Sequence, residues 1–154
     1  MIRDLKGKPG MDTVEKVTEH IKTHDKLIPM FNMEIEETAP GMARMNMKVG
    51  PNHLNAARVC HGAALFALAD VAFALAANCH GRMALAIEAS INYFRPVAEG
   101  SVLRVVCEEE FQGRRTGTYF ATITDENGKK IAIFKATAFR VDDVSVSRYN
   151  RENK

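Results

Sequence analysis

Hydrophobic and polar positions alternate with period two along much of this chain, and one stretch departs from that rule. Between positions 62 and 77 every residue except Asp70 is Ala, Leu, Phe, Val or Gly. Ala and Leu are strong helix formers, and Gly81 supplies a stop just beyond. A helix that is apolar on all sides must be buried. This run is interrupted by Asp70 and falls short of the roughly 20 apolar residues of a membrane span. It therefore reads as the buried central helix of a soluble protein. A carboxylate inside such a helix is costly unless it is hydrogen-bonded or put to use.

The remaining pattern is mostly strand. Residues 1–10, with Gly7, Pro9 and Gly10, read as a loose tail. Val14, Val17, Ile21 and Leu27 form a helical stripe, predicting a helix over 14–24, capped at Asp12 or Thr13 and ended by Pro29. Residues 30–37 alternate Phe31, Met33 and Ile35 with Asn32, Glu34 and Glu36, a half-buried strand. Ala39, Pro40 and Gly41 make a turn into a second strand over 42–49, with Met45, Met47 and Val49 on one face. Residues 50–58 form a polar loop leading into the central helix, where a scaffold can hold functional side chains in place.

Four more strands follow. Residues 83–94 set Leu85, Ile87, Ala89, Ile91 and Tyr93 on one face, and Glu88, Ser90, Asn92 and Phe94 on the other. Segments 101–112, 117–124 and 129–141 complete the set, with a hairpin signal at Asn127–Gly128. The order helix, two strands, long helix, four strands is that of an α+β fold. A curved antiparallel sheet wrapped around the long helix buries that helix most simply. The outer edges of such a sheet invite pairing with a second copy. The chain divides into a tail and helix at 1–29, one domain at 30–141 and a charged tail at 142–154.

Composition narrows the function classes. The 154 residues carry 21 basic and 19 acidic side chains, too balanced for a general nucleic-acid binder. An anionic ligand must then be met by a local basic cluster. The three cysteines, Cys60, Cys79 and Cys107, form no CxxC pair, and the first residues contain no apolar leader core, so reduced thiols in a cytoplasm are expected. Cys60–His61 and Cys79–His80 bracket the central helix about 27 Å apart and, with His53, match no standard metal-ligand spacing, so no metal site is expected.

The run His53-x-Asn55-x5-His61-Gly62-x7-Asp70, followed by Asn92-Tyr93-Phe94-Arg95-Pro96 and Gly113-Arg114-Arg115-Thr116-Gly117, resembles the hotdog-fold acyl-CoA thioesterases. The nearest subgroup is the phenylacetic-acid-degradation type within the 4-hydroxybenzoyl-CoA thioesterase superfamily. The resemblance covers about residues 30–141 and implies a hotdog fold, an acyl-CoA substrate, no separate cofactor, and a homo-oligomer, dimer or tetramer, with active sites between subunits. By position in the motif, Asp70 matches the general base or nucleophile, and Asn55 the loop amide that places substrate or water. Gly62 matches the backbone donor to the thioester oxygen, with His61 in support.

Elementary chemistry agrees with these roles. A helix N-terminus suits the negative charge that develops on a thioester oxygen. A carboxylate among apolar side chains can act as a base near neutral pH. Asp70 lies roughly 12 Å along the helix from Gly62, too far for both to meet one carbonyl within a single chain. Arg114 and Arg115, between two strands, and Arg95 are candidates for the CoA phosphates, because guanidinium groups donate in pairs. Asn92 and Phe94 are the accompanying candidates for substrate contact. Two positions depart from the family pattern: Arg58 and Ala63 stand where relatives usually carry Gly. The alternative readings are an acyl-CoA sensor without catalysis, which would usually lack the helix acid, and a hotdog hydratase, whose His-plus-acid motif is not found.

Overall fold

The computed structural model describes residues 11–141. The expected tails at 1–10 and 142–154 lie outside the described residues. In chain order the elements are α1 (Met11–His24), α2 (Leu27–Met30), β1 (Met33–Ala39), β2 (Met42–Lys48), a 3-10 turn at Pro51–His53, α3 (Gly62–Asn78), β3 (Ala84–Tyr93), β4 (Val102–Gln112), β5 (Thr116–Thr124) and β6 (Lys130–Arg140). The six strands form one antiparallel sheet in the order β1-β2-β4-β5-β6-β3.

Helix α3 is the object the sheet wraps. Leu68, Ala69, Ala72, Leu75 and Ala76 are fully buried, and the inward residues of the strands close over them: Met45 and Met47 of β2, Leu103 and Val105 of β4, Tyr119 and Ile123 of β5, Phe134 of β6. The rings of Phe66 and Phe73 meet Phe134 and Tyr119 edge-on, at centroid distances of 5.2 and 5.3 Å. The C-terminal end of α3 is pinned by Asn78. Its amide nitrogen donates to the carbonyls of Ala74 and Ala84, and its oxygen accepts the Ala84 N–H at 2.9 Å. Gly81, at φ +84°, turns the chain out of the helix as expected.

Three sequence expectations are corrected. Helix α1 spans Met11–His24, so Asp12 and Thr13 are helical positions and do not precede the helix. It ends at His24, before Pro29, which sits inside the short α2; a proline is tolerated there because first-turn N–H groups have no partner in the helix. The Asp25 carboxylate accepts the Leu27 N–H at 2.9 Å and starts that second helix. Finally, β3 does not keep one apolar face. Its register against β6 shifts between Ala86 and Glu88, so Ile87 is bulged and the parity of the strand reverses there. Ala84 faces inward before the bulge, Ala89 and Ile91 pack on the core after it, and Leu85 and Ile87 are 54% and 62% exposed. β3 is also an edge strand, with no pairing partner along its outer side among the described residues.

Candidate active site

The candidate site begins at the N-terminus of α3. His61 is the capping residue, and its Nδ1 accepts the Ala63 N–H at 2.9 Å. The Ala64 and Leu65 N–H groups donate to the His61 carbonyl at 2.9 and 3.3 Å. Among the described residues no acceptor meets the Gly62 N–H, so it is the open donor of the first turn. The Gly62 carbonyl accepts the Tyr93 hydroxyl at 2.9 Å. A Cβ at position 62 would lie 3.0 Å from both Cζ and Oη of Tyr93, which gives glycine a packing reason to be there.

The loop before the helix is held by its own amides. Asn55 Oδ1 accepts N–H groups from Ala57 and Val59 at 2.9 and 3.3 Å, and the Asn55 N–H donates to the Val59 carbonyl at 2.9 Å. With the oxygen so engaged, Nδ2 is the open donor of the Asn55 side chain. Arg58, within that turn, has φ +60°, a left-handed conformation that glycine adopts without penalty. That is why glycine suits this position; here an arginine bears the strain with its side chain exposed. The His53 ring accepts the Gly50 N–H at 3.1 Å, and its carbonyl accepts the His61 N–H at 2.7 Å, anchoring both ends of the loop.

Between this loop and the end of β3 lies an open pocket of about 340 Å³. Asn55, Cys60, Gly62 and Leu65 line one side; Tyr93, Phe94, Arg95 and Pro96 line the other. Burial pushes the Cys60 thiol up to about 11, so it stays protonated and is no nucleophile at neutral pH. Arg95 Nη1 donates to the Lys130 carbonyl at 2.6 Å, which sets the guanidinium at the rim.

Asp70 is elsewhere. It sits midway along α3, partly buried and within electrostatic reach of Asp25 between α1 and α2, and does not line the pocket. Burial raises the affinity of its carboxyl for a proton, and the negative charge of Asp25 raises it further. No donor among the described residues hydrogen-bonds it.

Of the remaining sequence candidates, Asn92 is exposed on the outer face of β3, opposite in parity to Ile91 and Tyr93. Arg114 and Arg115 are exposed in the turn between β4 and β5. The Arg115 carbonyl accepts the Arg140 N–H at one end of β6, whereas Arg95 bonds Lys130 at the other. Eleven residues of β6 separate those ends by roughly 30 Å. Within one chain, therefore, Asn55, His61, Gly62, Phe94 and Arg95 come together, while Asp70 and the Arg114–Arg115 pair are set apart from them.

Two features escaped the sequence reading. One is Tyr93, passed over for its neighbours Asn92 and Phe94. The other is a buried polar cluster at the far end of α3: Glu109 accepts from the Tyr119 hydroxyl, His80 (2.8 Å) and Arg140 (3.4 Å). Arg140, 2% exposed, also donates to the carbonyls of Gly113 and Thr116 at 3.0 Å. Burial and the Glu109 carboxylate push the Tyr119 phenol far above its usual range. Arg140 shares the inward parity of Ala132, Phe134, Ala136 and Ala138, and that parity was the available signal.

A family model described as the thioesterase superfamily matches residues 57–132. A protein of Archaeoglobus fulgidus with a provisional esterase name is 43% identical over 130 residues, 84% of this chain and 84% of its own length. The acyl-coenzyme A thioesterase PaaI of Escherichia coli is 33% identical over 118 residues, 77% of this chain and 84% of its own length. The chain belongs to the thioesterase superfamily. Within that superfamily its fold is the hotdog and its relatives are of the PaaI type, as the motif implied. The solved structure of E. coli PaaI superposes with a TM-score of 0.81 at 30% identity, covering 84% of this chain and 94% of that one. A hypothetical thioesterase of Streptococcus pneumoniae, solved with coenzyme A, gives a TM-score of 0.74 at 28% identity, over 79% of this chain and 96% of that one.

Proposed function

We propose that this thioesterase-superfamily protein hydrolyses an acyl-CoA to the free acid and CoA, at sites shared between two subunits. The observation that carries the reading is the open N–H of Gly62, a residue that lines the pocket at the start of a buried helix, with its neighbouring amides already engaged. A donor held this way suits the oxygen on which charge develops during attack on a thioester. Asn55 lines the same pocket, and its open amide nitrogen can orient the carbonyl or the attacking water. The base is Asp70, a carboxylate with no hydrogen-bonding partner among the described residues and with its proton affinity raised by burial.

One chain holds Gly62 and Asp70 about 12 Å apart, so a partner must supply the second group. The open edge of β3 offers the route. Helix α3 runs antiparallel to β3: Gly62 lies against Tyr93, and Asn78 against Ala84. Two copies paired antiparallel through β3 send each helix back along the other, so that the partner subunit's Asp70 approaches the Gly62 pocket. The same symmetry returns the partner's Arg114 and Arg115 from the far end of β6 towards the Arg95 end, where three cations can share one nucleotide. Among the described residues no helix is long and apolar enough to cross a membrane. Three free, buried cysteines suit a reducing cytoplasm, where we place the reaction.

The test is thiol release from a panel of aryl-acetyl, hydroxylated aromatic and medium-chain acyl-CoAs. Hydrolysis of at least one class is expected. Tight binding of the panel with no thiol released would favour the non-catalytic sensor instead.

A further inference from the structure

Gly62 is flanked by a peptide unit that is gripped at both ends. The unit between Gly62 and Ala63 presents its N–H to His61 Nδ1 at 2.9 Å and its carbonyl to the Tyr93 hydroxyl at 2.9 Å. Its orientation fixes the adjoining Gly62 Cα, and through it the direction of the open Gly62 N–H. The Tyr93 ring also lies directly over Gly62, at the 3.0 Å that a side chain there would have to share. Tyr93 comes from β3, whereas the N–H it steadies belongs to α3, so this bond joins the sheet edge to the helix end across the pocket that both line.

We propose that Tyr93 is a positioning residue for thioester hydrolysis: its hydroxyl clamps the 62–63 peptide and so aims the Gly62 N–H at the oxygen of the reacting thioester. The proposal rests on the hydrolytic reading above. The hydroxyl touches neither substrate nor water in this role; it acts through the backbone. An ordinary first turn of a helix frays, and a donor misplaced by an ångström stabilises developing charge poorly. The clamp removes that freedom before substrate arrives, which is the preorganisation on which such stabilisation depends. Because the hydroxyl acts on the backbone donor and not on the arm or nucleotide of the acyl-CoA, the clamp affects the transition state more than binding.

Tyr93→Phe keeps the ring over Gly62 and deletes only the hydroxyl. The expected result is a kcat lowered roughly tenfold or more, with KM for the same acyl-CoA and inhibition by free CoA both within about twofold of the parent. Thermal unfolding should move by no more than a few degrees, since the strand and helix keep their packing. Equal kcat in the parent and in Tyr93→Phe overturns the clamp and leaves the hydrolytic reading standing. A fall in kcat matched by an equal loss of CoA affinity overturns it as well, since the hydroxyl would then serve binding. A parent protein that hydrolyses none of the acyl-CoA panel removes the hydrolytic reading, and the clamp falls with it.

Discussion

Asp70 carries two opposing consequences of its position. In the proposed hydrolysis it is the base: Asp70→Asn is nearly isosteric but cannot accept the proton, and thiol release should fall by roughly 10²-fold or more. As a structural element, it is a burden. Burial, and then the charge of Asp25, raise its folded-state proton affinity above that of the unfolded chain. An acid shifted in that direction contributes its full stability below the ordinary carboxylate range and loses it as pH rises through the raised folded value. Once charged, the side chain therefore disfavours the fold. Asp70→Asn should melt at a higher temperature than the parent at pH 8, with the gap closing as pH falls towards 4. A parent that melts higher at pH 8 would show that something satisfies the carboxylate, and that the burial argument for its basicity fails. Arg58 shows the opposite relation between residue and backbone. Its φ of +60° is a conformation that suits glycine, and it belongs to the turn that holds Asn55.

At the scale of elements, what the sequence made legible follows a physical boundary. Helix α3, the Met45–Met47 face of β2 and the Asn127–Gly128 turn are set by local periodicity and backbone preference, and the sequence displays them. The face of β3 is set by pairing with β6: Ala86 meets Ala138, Glu88 meets Thr137, and no local residue type marks Ile87 as the bulge. Strand order is equally non-local, so the sequence placed Arg95, Arg114 and Arg115 in one group although β6 keeps them apart. Two outcomes are expected here. Replacing Arg114 and Arg115 together by Ala should raise KM for acyl-CoA severalfold with little change in kcat, and the effect should vanish with acyl-pantetheine substrates, which lack the nucleotide. An unchanged KM would make the pair an ordinary solvated turn. The Glu109 cluster ties β4, β5 and β6 to the end of α3 through His80, Tyr119 and Arg140. Glu109→Ala leaves a guanidinium that is 2% exposed without its carboxylate, a change that costs about 3 kcal/mol by analogy with broken buried pairs. A loss under about 1 kcal/mol in denaturant titration would mean that the Gly113 and Thr116 carbonyls suffice for Arg140.

For the whole molecule the decisive distance is the one between Gly62 and Asp70. A helix rises 1.5 Å per residue, so no relaxation of the pocket brings the two onto one carbonyl within a chain. The loop of Asn55 and the helix end at Gly62 stand together, and Asp70 stands alone, so a shared site divides its parts in a definite way: Asn55 and Gly62 from one subunit, Asp70 from the other. Light scattering should accordingly find no active monomer at assay concentration. Complementation tests the division itself. Asn55→Ala and Asp70→Asn should each be nearly inactive alone. Co-expressed, they form mixed dimers in which one site receives both lesions and the other receives neither. With random pairing half the dimers are mixed, and each carries one sound site of two, so about a quarter of the parent activity should return. If Asn55 and Asp70 served the same carbonyl from one chain, every subunit would carry a damaged site, and mixing would restore nothing. The recovered quarter separates those two geometries whatever the acyl group proves to be.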